Sequence, residues 1–173
     1  MTGVLSAERL SAIAAPAEFT VTGDEVTGYE IADLGGEIRY YVRFDGTVYL
    51  VTRGERAGDE EFGFSTMSVD GVYRYLIWQL GNTAREILGY ARIQTPHRST
   101  DVAPGFTISV NGMRDILLHD GDVIGTLRHG GALAPAAQFS WLAALDVSAL
   151  LASYLDESGA PLLSQWVTVP AGS

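Results

Sequence analysis

From Phe19 onward the chain falls into short runs in which apolar and polar positions alternate: FTVT, GYEIADL and EIRYYVRF. Alternation at every second residue is strand periodicity. In the third run Ile38, Tyr40, Val42 and Phe44 share one face, and Arg39 and Arg43 lie on the other. Asp45-Gly46 follows at once and leads into TVYLVTR, which predicts a hairpin turned by a dipeptide that accepts positive φ. The polar segment RGERAGDEE, whose only apolar residue is Ala57, is expected as an exposed loop before a further strand, FGFSTM. Later, FTISV, MRDILLH and VIGTLRH are separated by Asn111-Gly112 and Asp120-Gly121 and read as a three-stranded meander.

Three stretches follow the other period. Ser6 caps a short helix over Leu10 and Ile13 that stops at Pro16. Ser68 opens a segment in which Val69, Val72, Tyr73, Leu76, Ile77 and Leu80 recur at spacings of three and four, with Gly81-Asn82 a point of interruption. From Pro135, the residues Phe139, Leu142, Ala143, Val147, Leu150, Leu151 and Tyr154 form the stripe of a second long helix that ends before Gly159. Residues 94–105 lack periodicity and are read as a connecting loop, and the tail PLLSQWVTVP as a short final strand with Trp166 on the core and frayed last residues. The predicted fold is α+β: a mostly antiparallel sheet of hairpins and a meander, packed by two amphipathic helices, with a short N-terminal helix. One domain spanning residues 1–173 is expected, because a chain of this size buries a sizeable core.

Composition narrows the function classes. With no cysteine, disulfides, thiolate nucleophiles and Cys-ligated metals are excluded. No apolar run is long enough for a membrane helix, and the N-terminal run, interrupted by Glu8 and Arg9 with no basic stretch before it, does not read as a signal peptide. Cytoplasmic residence without membrane contact is the expectation. The net charge is −10, from 21 acids against 11 bases, and residues 18–61 hold eleven acids against four arginines, a net of −7. Nucleic acid is thereby disfavoured as a partner, since phosphate contacts need clustered basic groups.

Motifs for chemistry are scarce. His97, His119 and His129 match no metal-ligand spacing, and neither a GxSxG elbow, a P-loop nor a GxGxxG turn occurs. No catalytic residue, cofactor or metal is predicted. The best catalytic constellation, His119 with Asp120 and Asp122, is accounted for by turn chemistry at Asp120-Gly121. Tyr73, Trp78, Phe139, Trp141 and Trp166 could line a ligand pocket, but their helical spacing assigns them to the core. Of the neighbours Tyr40 and Tyr41, one is expected inside and one outside. The densest mixture of forked donors and carboxylates is Arg53, Glu55, Arg56, Asp59, Glu60 and Glu61, which suits a protein contact surface. The turn Asn111, Gly112 and Met113 is the second candidate contact.

The stretch TVYLVTRGERAGDEEFGFSTMSVDGVYRYLIWQLG, together with DVAPGFTISV, resembles a family of bacterial polymorphic-toxin immunity proteins, that of the immunity factor for tuberculosis necrotizing toxin. The resemblance spans roughly residues 45–130. It implies a non-enzymatic antitoxin that binds the toxin's catalytic domain, an NAD(P) glycohydrolase, and obstructs its substrate site, as a monomer in a 1:1 complex. The acidic third would then be steered to a basic cleft. Two other readings stay open at this point: a cytosolic chaperone or adaptor for a secreted protein, and a small ligand-binding module or enzyme.

Overall fold

The computed structural model describes residues 4–56, 58–131 and 133–168. Its frame is one antiparallel sheet of eight strands. In chain order these are β1 (Phe19–Asp24), β2 (Gly28–Asp33), β3 (Ile38–Phe44), β4 (Tyr49–Glu55), β5 (Glu61–Thr66), β6 (Phe106–Asn111), β7 (Arg114–His119) and β8 (Asp122–Arg128). The first five follow one another across the sheet, and the meander then joins in reverse, giving the order β1-β2-β3-β4-β5-β8-β7-β6. The junction between the two groups is narrow, with Phe64 opposite Leu127 and Ser65 opposite Thr126.

Helices α1 (Ala7–Ala14), α2 (Val69–Ile87), α3 (Pro135–Ser140) and α4 (Val147–Leu155) provide the apolar cover. Ser6 and Ser68 cap α1 and α2 as expected, their hydroxyls accepting from Arg9 N and Gly71 N. Val42, Val51, Phe64 and Leu127, paired in register across four strands, form the buried stripe of the sheet. Tyr40 is the inner member of the tyrosine pair. Tyr41 lies on the other face beneath the Arg43 guanidinium, 4.8 Å from its ring centre.

Several local expectations are corrected. The long C-terminal helix is two: α3 ends near Trp141, whose indole N–H donates to Asp101 O, and Asp146 starts α4 afresh by accepting from Ala149 N. Between them Arg74 Nε donates to Leu145 O, holding the chain off the helical path. Gly81 does not interrupt α2; a Cβ there would lie 2.3 Å from the Tyr154 ring, so the glycine lets α4 approach. The tail makes a 3₁₀ turn at Ser164–Trp166 and one bridge, Ile93 to Val167, because its partner stretch is too irregular to extend the pairing. Trp166 still packs against the core and meets Trp141 edge to face. The last residues, expected to fray, lie outside the described ones.

The turns also differ in detail. Asp120 and Gly121 both have positive φ, 51° and 91°, as a two-residue hairpin demands. At Asp45 only Gly46 is left-handed, and the loop runs over four residues, with the Asp45 carboxylate accepting from Thr47 N and Val48 N. The β6–β7 turn residues are Gly112 and Met113, since Asn111 already pairs with Arg114.

One buried cation fastens the helices. Arg85 on α2 has no exposed surface, and its partners among the described residues are backbone carbonyls, not a carboxylate in ion-pair contact. Its Nε donates to Ala91 O, and its terminal nitrogens to the carbonyls of Ser153, Tyr154, Asp156 and Glu157. These include carbonyls that the end of α4 leaves without helical partners. Desolvation lowers the Arg85 pKa below the ordinary arginine range.

Candidate partner-binding site at one end of the sheet

Strand direction decides which loops meet. With every pairing antiparallel, the β2–β3, β4–β5 and β6–β7 connections and the segment after β8 all fall at the same end of the sheet. Both candidate patches therefore lie there. Arg114, next after Met113, stacks over the Phe62 ring at 4.1 Å, and β7 stands two strand spacings, roughly 10 Å, from β5.

The six residues of the first patch take different roles. The exposed loop is shorter than expected, because Arg53 and Glu55 belong to β4 and Glu61 to β5. Arg53 Nη2 is 2.5 Å from Glu55 Oε1, and Glu61 pairs with Arg128 across the β5–β8 junction. Glu60 points elsewhere: Arg43 grips it through two bonds of 2.6 and 2.8 Å, and the Thr52 hydroxyl donates to the same carboxylate. The Arg43 hydrogen bonds hold Glu60 below the usual carboxylate range. Arg56 has φ 53°, stays 80% exposed and reaches Glu37 only at 4.0 Å. Asp59, exposed, has no arginine partner among the described residues and faces a shallow cavity of about 390 Å³ with Arg53, Glu55 and Glu61. In the second patch Met113 is 72% exposed, and its carbonyl accepts from His129 N. The His129 ring in turn meets the buried Asp115 carboxylate at 2.7 Å.

Sequence reasoning missed the larger feature beside this patch. A cavity of about 620 Å³ shares Arg53 and Glu61 with the shallow one and runs inward under α2 and α3. Its wall includes Tyr75, Trp78 and Gln79, one face of α2 at spacings of three and four. Gln138 closes it from α3, and Gln94 and His97 come from the irregular stretch. Of the aromatics considered for a pocket, Trp78 lines this cavity and Tyr73 and Phe139 are buried. The sequence signal was slight: Trp78-Gln79 marks the border of the apolar stripe.

The opposite end of the sheet exposes Val26, Phe44, Met67 and Val123, and there Asp24 and Asp45 serve their own turns. Asp24 accepts from Val26 N and Thr27 N, and backbone bonds lower the pKa of both Asp24 and Asp45. His119 lies there too, 3.8 Å from Asp120 and stacked on Phe106. Among the described residues no three His, Asp or Glu side chains gather as a metal site, and no helix is long and apolar enough to cross a membrane.

Comparison with known proteins agrees on one group. The sequence profile of Immunity protein 61 matches residues 13–162. The "Immunity factor for TNT" of Mycobacterium tuberculosis is 26% identical over 136 residues, 76% of each chain. The Mycobacterium bovis "Immunity factor for TNT homolog" matches to the same extent. The solved structure of Rv3902c from M. tuberculosis shares the fold, with a TM-score of 0.77, 23% identity, and coverage of 93% of this chain and 95% of that one.

Proposed function

The chain belongs to the Immunity protein 61 family, and we propose that it silences a cognate toxin by laying the β4–β5 end of its sheet over the toxin's catalytic cleft. An immunity protein is an antitoxin, and its partner is a toxin. The finer reading is that this toxin is an NAD(P) glycohydrolase, which the relatives' designation as immunity factors for TNT supports. The protein then works in the cytoplasm of the producing cell, without catalysis or cofactor, as one copy per toxin.

The observation that carries the reading is the arrangement of Arg53, Glu55, Asp59 and Glu61 around the mouth of an open cavity. A cleft that binds a dinucleotide pyrophosphate offers cationic groups. Carboxylates held in place by paired arginines present fixed anionic acceptors to them, and the acidic third of the chain steers the encounter. Arg56, Glu60 and the Asn111-Gly112-Met113 turn flank the contact.

The test is NAD glycohydrolase activity of the cognate or nearest available necrotizing-toxin domain, titrated with the purified protein. Inhibition complete at one equivalent is expected. Undiminished activity, with no complex at micromolar concentrations, overturns the reading.

A further inference from the structure

The 620 Å³ cavity contains polar groups that the fold itself does not use. Tyr75 is only 5% exposed, and its hydroxyl makes no hydrogen bond to another described residue. Among the described residues no fully enclosed side-chain polar atom lacks a partner, so this hydroxyl is reached through the cavity. Room for it exists because position 63 is glycine: a Cβ there would stand 2.6 Å from Tyr75 Oη. The side-chain amides of Gln79, Gln94 and Gln138 and the His97 ring also bond to no described protein group and line the same space. Open to the cavity, the Tyr75 hydroxyl can be met by water in the free protein and by a polar group of whatever enters, at no cost to the fold.

We propose that this cavity is a receptor for one aromatic side chain with a polar tip, tyrosine or tryptophan, carried on a loop of the toxin next to a basic residue. The inference rests on the antitoxin reading and names what enters the site. Trp78 and Tyr75 offer ring faces and edges to the body of the incoming side chain, and the Tyr75 hydroxyl and the glutamine amides meet its tip. Asp59 and Glu55, at the adjoining mouth, receive the neighbouring cation; this charge complementarity favours a toxin loop over a free small molecule. An aromatic anchor in a desolvated pocket under a polar rim is the usual anatomy of an interface hot spot.

The experiment measures binding of the toxin domain that the wild type inhibits, by calorimetry, to the wild type and to two variants that leave the rim charges intact. Gln138→Trp fills the cavity and is expected to weaken binding 30-fold or more. Tyr75→Phe removes the unpartnered hydroxyl, and is expected to leave the melting temperature unchanged and to weaken binding about tenfold. Should Gln138→Trp not fold, Gln94→Trp plugs the mouth from an exposed position. In a Trp141→Phe/Trp166→Phe background labelled with 5-fluorotryptophan and mixed with unlabelled toxin, Trp78 reports directly, and its fluorine resonance shifts on complex formation. Unchanged affinity in folded, filled variants, with the Trp78 resonance unmoved, overturns the cavity proposal while the antitoxin reading stands. Failure of the wild type to bind or inhibit overturns that reading and this inference with it.

Discussion

Replacing Arg85 by alanine tests how far one guanidinium holds the α2–α4 pair together. Five carbonyls lose their donor, but not equally. Asp156 and Glu157 lie on exposed residues, so water replaces the guanidinium at their oxygens. The oxygens of Ser153, Tyr154 and Ala91 stay largely dry. At about 1 kcal/mol for each acceptor left unpaired, the loss is roughly 3 kcal/mol. Lost packing of the stem adds to it, and relief from burying a cation offsets part. The expected destabilisation is about 3–4 kcal/mol, or roughly 6–15 °C in Tm for a chain of this length. Arg85→Lys keeps the charge but not the fork, and should cost about half as much. Urea unfolding at neutral pH gives the free energy, and an unchanged slope shows that the unfolded state was not altered. Amide exchange should speed first at the C-terminal turn of α4. A loss below about 1 kcal/mol for Arg85→Ala would refute the reasoning, since it would mean that those carbonyls are hydrated with or without the arginine.

Other outcomes follow from the same contacts. Gly81→Ala should lower stability by about 1–3 kcal/mol despite alanine's better helix propensity, because its Cβ collides with Tyr154; a raised Tm would contradict that packing. Glu60→Gln should cost less than about 1 kcal/mol at pH 7, its pair with Arg43 being well exposed. Since the folded pKa of Glu60 is lowered, the pair's contribution is full above the unfolded value of about 4.3 and is lost as pH falls through the folded one. Denaturation curves at pH 7 and pH 3 should therefore differ less for the variant than for the wild type. Asp59→Arg, which disturbs no ion pair of the described residues, should leave Tm within about 2 °C and weaken toxin binding at least tenfold, measured by calorimetry; unaltered binding would remove Asp59 from the contact.

Local signals in the sequence proved readable, and distant ones did not. Ser6 and Ser68 announce their helices because capping involves only the next three residues, and Asp120-Gly121 fixes its turn from two. The split between α3 and α4 escaped notice because an unbroken apolar stripe runs through it, and the groups that decide the matter, Arg74 and Asp101, lie far off in sequence. Gly81 looked like a breaker for the same reason: its meaning is set by Tyr154. At the site, the charged residues from Arg53 to Glu61 were visible as composition, and strand direction brought the Met113 turn to the same end. The cavity beside them is assembled from α2, α3, β4, β5 and an aperiodic stretch, and a periodicity search has no purchase on such a convergence.

The narrow pairing of β5 with β8 says something about how the sheet comes apart. Strands β1–β5 are linked in succession by short connections, and so are β6–β8, so each group closes its own ladder from near neighbours in the chain. Between them only two residue pairs are in register, helped by the Thr66 hydroxyl on Ile124 O, and the ladders on either side carry bulges. This line is the natural seam. Amides along it should exchange through a smaller opening than those inside either group. A chain cut within residues 94–105 should yield two pieces that recombine along the same line, held chiefly by the apolar layer that both halves share with the helices.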